Sequence, residues 1–328
     1  IVGGNFAAPL IDVTGRDDIS FRGIEFGLAG PITDAIRGGD GTTDLLIEDC
    51  TFLGNFGNCV GIVSAAGTAS KIRMAGCYGD TFGTRGVLLT GVSDVEITGC
   101  DFKGPGVGVV GTIGISADGA TANNNVRITN TLVRDCENGV RIDNSDNVKI
   151  SGSSVLGVRN GIAALNLSDD LIVSETLVEL EDDEGLSGIS IAQCFRPAVM
   201  GCTIKNPRVN WVGEVSVPKG LEYANAPVSP DGSNPRFMGN HVQGFFNQDT
   251  SAGSGIAVVG GPANRPTGCV VQGNTLVENS LYLSYASGVA SGNSILGPNP
   301  SGAAIEAAVV ILEAVGLVFS ENVIRCGE

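Results

Sequence analysis

One short pattern of hydrophobic and polar positions recurs along the chain: an apolar strand, a small or polar residue, and a second apolar strand. One copy reads Ile47-Glu48-Asp49-Cys50-Thr51-Phe52, and a later one reads Val271-Gln272-Gly273-Asn274-Thr275-Leu276. The central position of the successive copies is occupied by Ile24, Cys50, Cys77, Cys100, Thr131, Ser153, Thr176, Cys202, Asn240, Asn274, Asn293 and Asn322. The intervals between these positions run from 19 residues (274 to 293) to 38 residues (202 to 240). A repeat of this kind, with only short strands inside it, predicts a solenoid.

Each repeat contains two further strand signals. One precedes the central position, as in Asp94-Val95-Glu96-Ile97, and the other follows a glycine, as in Gly139-Val140-Arg141-Ile142. Apolar and polar residues alternate in both, so every second side chain points to one interior. Glycine, which tolerates the positive φ of tight corners, makes up 49 of the 328 residues. We therefore predict an all-β solenoid of about 12 coils with three short parallel strands per coil.

With this pattern the chain resembles the right-handed parallel β-helices, the pectate-lyase-like superfamily that includes many phage tailspikes. The central position falls where that family stacks its internal asparagine ladder. Four positions keep the amide and four replace it with a thiol that we expect to be buried: Asn240, Asn274, Asn293 and Asn322, and Cys50, Cys77, Cys100 and Cys202. The resemblance covers about residues 11–326 and concerns the fold. It implies a tailspike-like homotrimer, or a part of a larger virion assembly.

The repeat runs almost from end to end, so we predict one parallel β-helix domain over residues 1–328. Longer loop insertions are expected around 203–236 and 243–266, where the repeat is widest. The chain begins without Met inside a strand-like pattern, which indicates a fragment of a longer protein. Because no stretch approaches the ~20 apolar residues of a transmembrane helix, we expect no membrane insertion.

Charge and cysteine content narrow the function classes. The net charge of −16 and the pI of about 4.4 disfavour binding to nucleic acid or to an anionic membrane. Nine cysteines with a single His and no CxxC pair predict no metal site, and no cofactor is expected. Thiols that share one orientation along a stack favour free cysteines and hence folding in a reducing cytosol. This favours a phage protein assembled inside its host over a secreted enzyme.

The first candidate site is a pair of aspartates. Asp118 and Asp143 each lie four residues after the glycine that opens their strand, so they should occupy matching places on neighbouring coils, roughly 5 Å apart. Two such close carboxylates suit acid/base catalysis. Arg141 and Asn166 are expected to bind substrate beside them. The alternative is that Ala117-Asp118-Gly119 and its counterpart are ordinary turn sequences.

The second candidate site lies where the repeat intervals are longest. Glu222 is a candidate third catalytic acid, and four further residues are candidates for substrate binding: Trp211, Lys219, Tyr223 and His241. An exposed Trp beside carboxylates is what a sugar ring requires, since it offers an apolar face to stack on and acceptors for hydroxyls. The alternative is a proline-rich loop whose Trp covers the solenoid or packs against a neighbouring subunit.

The sharper catalytic motifs of the family are absent from the sequence. Polygalacturonases contain Gly-His-Gly, but His241 is flanked by Asn240 and Val242, and no acidic cluster with a following Arg stands out as in pectate lyases. We therefore predict a phage-tail receptor-binding protein of the tailspike type, which binds and can depolymerise a host surface polysaccharide. Two alternatives stay open: a secreted, extracellular polysaccharide lyase, hydrolase or epimerase, and a non-catalytic structural or adhesive β-helix.

Overall fold

The structure is a computed structural model that describes residues 2–3, 8–28, 32–165, 170–181, 185–207, 218–224, 234–245, 253–297 and 308–325. All regular elements in these ranges are β-strands, and they pair in parallel with strands one turn away. The chain divides into two compact units, Ile1–Val158 (unit 1) and Arg159–Glu328 (unit 2). Each unit is described by itself.

Unit 1 consists of three stacks of parallel strands. The first stack contains β3 (Asp17–Arg22), β6 (Thr43–Glu48), β9 (Ala69–Ala75), β12 (Val92–Thr98), β15 (Asn123–Thr129) and β17 (Ser145–Ser151). The second contains β1 (Val2–Gly3), β4 (Glu25–Leu28), β7 (Thr51–Leu53), β10 (Tyr78–Asp80), β13 (Asp101–Lys103) and the start of β16 (Leu132–Asp143). The third contains β2 (Ile11–Asp12), β5 (Ile32–Gly38), β8 (Phe56–Val63), β11 (Arg85–Thr90), β14 (Ile113–Ala117) and the end of β16.

Unit 2 repeats the arrangement, and β18 (Ser154–Leu165) contains the boundary between the units. The first stack of unit 2 contains β19 (Ile172–Ser174), β22 (Ala198–Met200), β25 (Arg236–Met238), β28 (Cys269–Gln272), β31 (Gly288–Ser291) and β34 (Leu317–Ser320). The second contains β20 (Leu177–Leu180), β23 (Thr203–Lys205), β26 (His241–Gln243), β29 (Thr275–Val277), β32 (Ser294–Leu296) and β35 (Val323–Arg325). The third contains the end of β18, β21 (Ser187–Ala192), β24 (Lys219–Ala224), β27 (Ser254–Val259), β30 (Leu281–Ser284) and β33 (Val309–Leu312).

The predicted all-β parallel solenoid is confirmed, with slightly fewer turns than expected. The solenoid has about 10 turns instead of the expected 12 or so. The predicted insertion at 203–236 contains β24, and the one at 243–266 contains β27. Both strands are described, but other parts of the two insertions lie outside the described residues. Within the described part of the chain, no helix has the length and apolar character needed to cross a membrane.

An asparagine ladder holds the corner between the first and second stacks of unit 2. The Nδ2 of Asn240 donates to Oδ1 of Asn274 at 3.0 Å, and Asn274 donates in the same way to Asn293 at 2.9 Å. Each of these amides also donates to a backbone carbonyl, that of Val199 for Asn240 and that of Phe237 for Asn274. The predicted inward stack is therefore confirmed here, and buried amides satisfy one another along the axis.

Thiols occupy the same corner in unit 1. Cys50, Cys77 and Cys100 are buried at successive ladder positions, each directly before a strand of the second stack. All eight cysteines in the described ranges are buried and free, while Cys326 lies outside them. The prediction of inward thiols is confirmed for Cys50, Cys77, Cys100 and Cys202, and the prediction that most cysteines are outside disulfides is confirmed for the eight described residues. Buried thiols of this kind act as small hydrophobic groups in the core.

Candidate functional site

The predicted aspartate pair lies on the outer face of the third stack in unit 1. Ser116 of β14 is the register partner of Arg141 in β16, and Ala117 is the partner of Ile142. The next position in this register places Asp118 beside Asp143, on consecutive strands as the sequence predicted. Because adjacent parallel strands are about 4.8 Å apart, the two carboxylates leave the sheet as near neighbours.

Two arginines share these carboxylates. Nε of Arg141 lies 3.8 Å from Oδ2 of Asp118, and Nη2 of Arg141 donates to Oδ2 of Asp143 at 3.4 Å. Nη2 of Arg85, from β11, also lies 3.8 Å from Oδ2 of Asp118. Arg85, Ser116, Asp118, Arg141 and Asp143 are called the arginine–aspartate cluster below. Its acid pair is thus bridged by a guanidinium.

Three polar atoms of the cluster are buried without a hydrogen-bond partner among the described residues: Nε of Arg85, Nε of Arg141 and Oγ of Ser116. Ser116 lies in an outward position of its strand, yet it is completely buried. The ion pairs at 3.8 Å are too long to count as hydrogen bonds. Buried polar groups almost always have a partner, so three such atoms at one place are unusual, although none of them has enough accessible surface for a ligand to reach it.

Hydrogen bonds from side chains to backbone carbonyls fix the ends of the two strands that carry Asp118 and Asp143. Thr90 Oγ1 donates to the carbonyl of Asp118 at 2.5 Å, and Asn144 Nδ2 donates to the carbonyl of Gly119 at 3.2 Å. Gly119 has φ 133° and Asn144 has φ 48°, so both aspartates do precede turn residues. The turn interpretation is therefore right for Gly119 and Asn144, while the carboxylates themselves face the arginines.

The cluster is accessible but shielded. The side chains of Asp118 and Asp143 are 14% and 17% exposed, and that of Arg141 is 41% exposed. This arrangement leaves the carboxylates open to a ligand atom while it removes much of the competing water. The guanidinium groups and the serine hydroxyl can donate to a ligand oxygen, and the carboxylates can accept from one.

The second candidate site lies on the third stack of unit 2. Glu222 forms an ion pair with Lys219, which lies three residues earlier in the same strand, and the Glu222 side chain is 15% exposed. Its register partners are Ser190 and Ala257, and the partner of Lys219 in β21 is Ser187, whose Oγ is buried without a partner in the described ranges. The structure therefore brings Lys219 and Glu222 together, and it gives the carboxylate one cationic neighbour instead of a second acid.

Two other sequence-based candidates, Tyr223 and His241, do not join this pair. Tyr223 is a correction, because its ring is completely buried and its hydroxyl donates to the carbonyl of Cys194 at 3.1 Å inside unit 2. His241 lies in the second stack, paired with Thr203 and Thr275, and not in the stack that contains Glu222. Asn166 and Trp211 lie outside the described residues.

Two members of the cluster were missed by the sequence reasoning. Arg85 comes directly before the glycine of its strand, and Ser116 follows the glycine of its strand by two residues, the same offset that Arg141 has from Gly139. The offset that matches Asp118 with Asp143 also places Ser116 in register with Arg141. Arg85 is in register with Ile113 instead, so its approach to Asp118 depends on the reach of its side chain and does not follow from the repeat.

The buried thiols are poor candidates for nucleophiles. Burial raises the pKa of Cys136 and that of Cys269 to about 12, and it raises the pKa of Cys202 to about 11. A thiol is reactive as its thiolate, so these groups are unreactive near neutral pH. No group of three or more His, Cys, Asp or Glu side chains within the described ranges is arranged to hold a metal ion.

Comparison with known proteins agrees with this architecture. A family model described as the right handed beta helix region matches residues 32–178 and 85–324, which together include most of the chain. None of the curated protein sequences matches the chain significantly. The match adds the handedness to the parallel three-stack solenoid, and such a fold suggests a polysaccharide-associated or a structural function. The chain belongs to the right-handed β-helix family.

Proposed function

We propose that this protein binds a host surface polysaccharide through the arginine–aspartate cluster, as a receptor-binding protein of the phage tailspike type. The observation that carries the proposal is the position of Arg141, which lies between Asp118 and Asp143 and keeps 41% of its side chain exposed. Sugar hydroxyls both donate and accept hydrogen bonds. A surface that alternates guanidinium donors with carboxylate acceptors is complementary to them.

The same pair of acids can support cleavage of the bound chain. In glycoside hydrolysis, one carboxylic acid protonates the leaving glycosidic oxygen while a second carboxylate attacks the anomeric carbon or activates a water. Asp118 and Asp143 are adjacent in register and face one guanidinium, so Arg141 would hold the ionised member in place. Water then completes the reaction, and the acid recovers its proton from that water.

Two further features support a phage-tail setting over an extracellular enzyme. The eight described cysteines are buried free thiols, which suits folding in a reducing cytosol before release. The net charge of −16 suits solubility in an exposed particle. The proposal extends to a homotrimer or a larger virion assembly, as the tailspike resemblance implies, and sedimentation velocity of the purified chain tests that part directly.

A structural or adhesive role is the second candidate, and one observation favours it. Outward ion pairs also occur where no site is expected, as between Arg134 and Asp101, whose Nε–Oδ1 and Nη2–Oδ2 distances are 3.1 and 2.9 Å. An arginine–aspartate cluster could therefore be a surface ladder like this one. The difference is that Arg134 is bonded to both carboxylate oxygens of Asp101, whereas Arg85 and Arg141 have unpartnered Nε atoms.

The test is a polysaccharide panel screened for binding and for products with the wild type, Asp143→Asn and Arg141→Lys. The matched control is Asp101→Asn, which removes an acid from the bonded pair. We expect wild type and control to bind alike, both cluster variants to bind at least about tenfold more weakly, and Asp143→Asn to lose on the order of a hundredfold of any turnover. Release of reducing ends indicates a hydrolase, and unsaturated sugars indicate the secreted-lyase alternative. Equal binding by all four proteins would remove the cluster from the site, and no binding would favour the structural role.

A further inference from the structure

The charges of the arginine–aspartate cluster are balanced. It contains two arginines and two aspartates, and each arginine lies within 4 Å of a carboxylate oxygen. A carboxylate or sulfate on a ligand would be attracted by the guanidinium groups, but it would be repelled by the carboxylates of Asp118 and Asp143 at the same place. Like charges brought together at an interface cost several kcal/mol, and the net charge of −16 adds a repulsive field.

The part-exposed groups of the cluster suit a ligand group that can both accept and donate. The guanidinium of Arg141, whose side chain is 41% exposed, can donate, while the carboxylates of Asp118 and Asp143 can accept. A sugar hydroxyl can accept from a guanidinium and donate its own hydrogen to a carboxylate. Two neighbouring hydroxyls would satisfy this set without adding charge.

We infer that the arginine–aspartate cluster selects a neutral glycan segment with adjacent free hydroxyls and rejects a uronic-acid or sulfated segment. This inference rests on the proposed function, because it names the ligand class of the same site. The two acids set the specificity of the site because they balance the charge of the two arginines. Removal of one acid leaves an excess of guanidinium charge, which should favour an anionic ligand.

The experiment uses matched ligands that differ only in charge. Neutral glucans, mannans and galactans are each compared with the same polymer oxidised at C6 to the carboxylate, and binding is measured by calorimetry on the whole chain. We expect the wild type to bind at least one neutral polymer about tenfold or more tightly than its oxidised form. Asp143→Asn should narrow or invert this ratio, whereas Asp101→Asn should leave it unchanged.

The outcomes separate the inference from the proposed function. Tighter binding of the oxidised polymers by the wild type would overturn the neutral-ligand inference and leave polysaccharide binding intact. An unchanged ratio in Asp143→Asn would also overturn it. No binding to any neutral or oxidised polymer would overturn the proposed function itself. Thermal unfolding of each variant confirms that it is folded, and Asp118→Asn, which also removes one acid of the cluster and should narrow or invert the ratio in the same way, serves if Asp143→Asn is unstable.

Discussion

Ser116 and Arg141 are register partners on consecutive strands, and the hydroxyl of one and the Nε of the other are both buried without a partner among the described residues. Side chains that lie next to each other on the same sheet face would ordinarily be exposed to water or bonded. Here two donors are withdrawn from water without gaining a protein acceptor among the described residues. This relationship separates the arginine–aspartate cluster from the bonded ion pair of Arg134 with Asp101.

The first prediction follows from that relationship. Ser116→Ala should change the free energy of unfolding by less than about 1 kcal/mol, because it removes an unpartnered hydroxyl, and it should leave glycan binding unchanged, because a ligand cannot reach that hydroxyl. Ser64→Ala is the matched control: Ser64 is equally buried, but it donates to Asp40 at 2.6 Å and accepts from the Thr68 amide at 2.9 Å. The control should lose about 1–3 kcal/mol. Urea unfolding measures both, and equal losses would show that Ser116 is bonded in the free protein.

The second prediction concerns the asparagine ladder. Asn274→Ala should destabilise the protein by about 2–4 kcal/mol, because it leaves the amide N–H and the Nδ2 of Asn240 without their shared acceptor. Asn124→Ala, which removes an exposed side chain from β15 at a position with ordinary strand backbone, should cost less than about 0.5 kcal/mol. Chemical unfolding curves give both values. Similar losses in the two variants would contradict the view that burial makes the ladder important.

The third prediction concerns a glycine packed against a buried ion pair. A Cβ on Gly61 would lie 2.5 Å from Oδ1 of Asp34, and Asp34 is held by Arg37 Nε at 2.9 Å and Asn58 Nδ2 at 2.6 Å. Gly61→Ala should therefore destabilise the protein by about 1–3 kcal/mol, whereas Gly108→Ala, with no atom within 4 Å, should be close to neutral. In an Asp34→Ala background the Gly61 effect should shrink. A double-mutant cycle measures the coupling, and additivity would contradict the contact.

The fourth prediction is a loss of stability at alkaline pH. The pKa of Cys136 is raised by burial to about 12, against about 8.5 for an exposed thiol. The folded state keeps a proton that the unfolded state releases, so the stabilisation is complete below pH about 8.5 and is lost as pH rises toward about 12.

Unfolding free energies at pH 7.5 and pH 10 provide the measurement for this effect. The wild type should lose about 2 kcal/mol more than Cys136→Ala over that interval, since each pH unit above the unfolded pKa contributes about 1.4 kcal/mol per thiol. Cys202→Ala should behave in the same way, because the pKa of Cys202 is raised by burial to about 11. Parallel pH profiles for wild type and variants would show that these thiols titrate normally in the folded protein.

Much of the solenoid could be predicted because its determinants are local and repeated. Each coil contains its own corner residue and its own alternation, so one turn of sequence specifies one turn of structure. Cys50, Cys77, Asn240 and Asn274 were placed correctly for this reason. Asp118 and Asp143 were matched on the same basis, because a fixed offset from a glycine is also a fixed register.

Tyr223 shows where a local interpretation was wrong. Alternation with Leu221 favours an inward position, but the hydroxyl and the neighbouring Glu222 suggested a binding role. The tertiary structure decided the question, since the carbonyl of Cys194, 29 residues away, accepts from the buried hydroxyl. A polar atom can enter a core only when a partner is present there, and the partner is specified by a different coil.

The sequence by itself therefore determined the repeat, the inward ladder and the register of the two aspartates. Only the tertiary structure decided that Arg85 and Arg141 both reach Asp118, and that Ser116 is buried on an outward face. Register follows from backbone hydrogen bonds, which repeat with the chain. The reach and burial of long side chains depend instead on the rotamers and neighbours supplied by adjacent coils, and no single repeat contains that information.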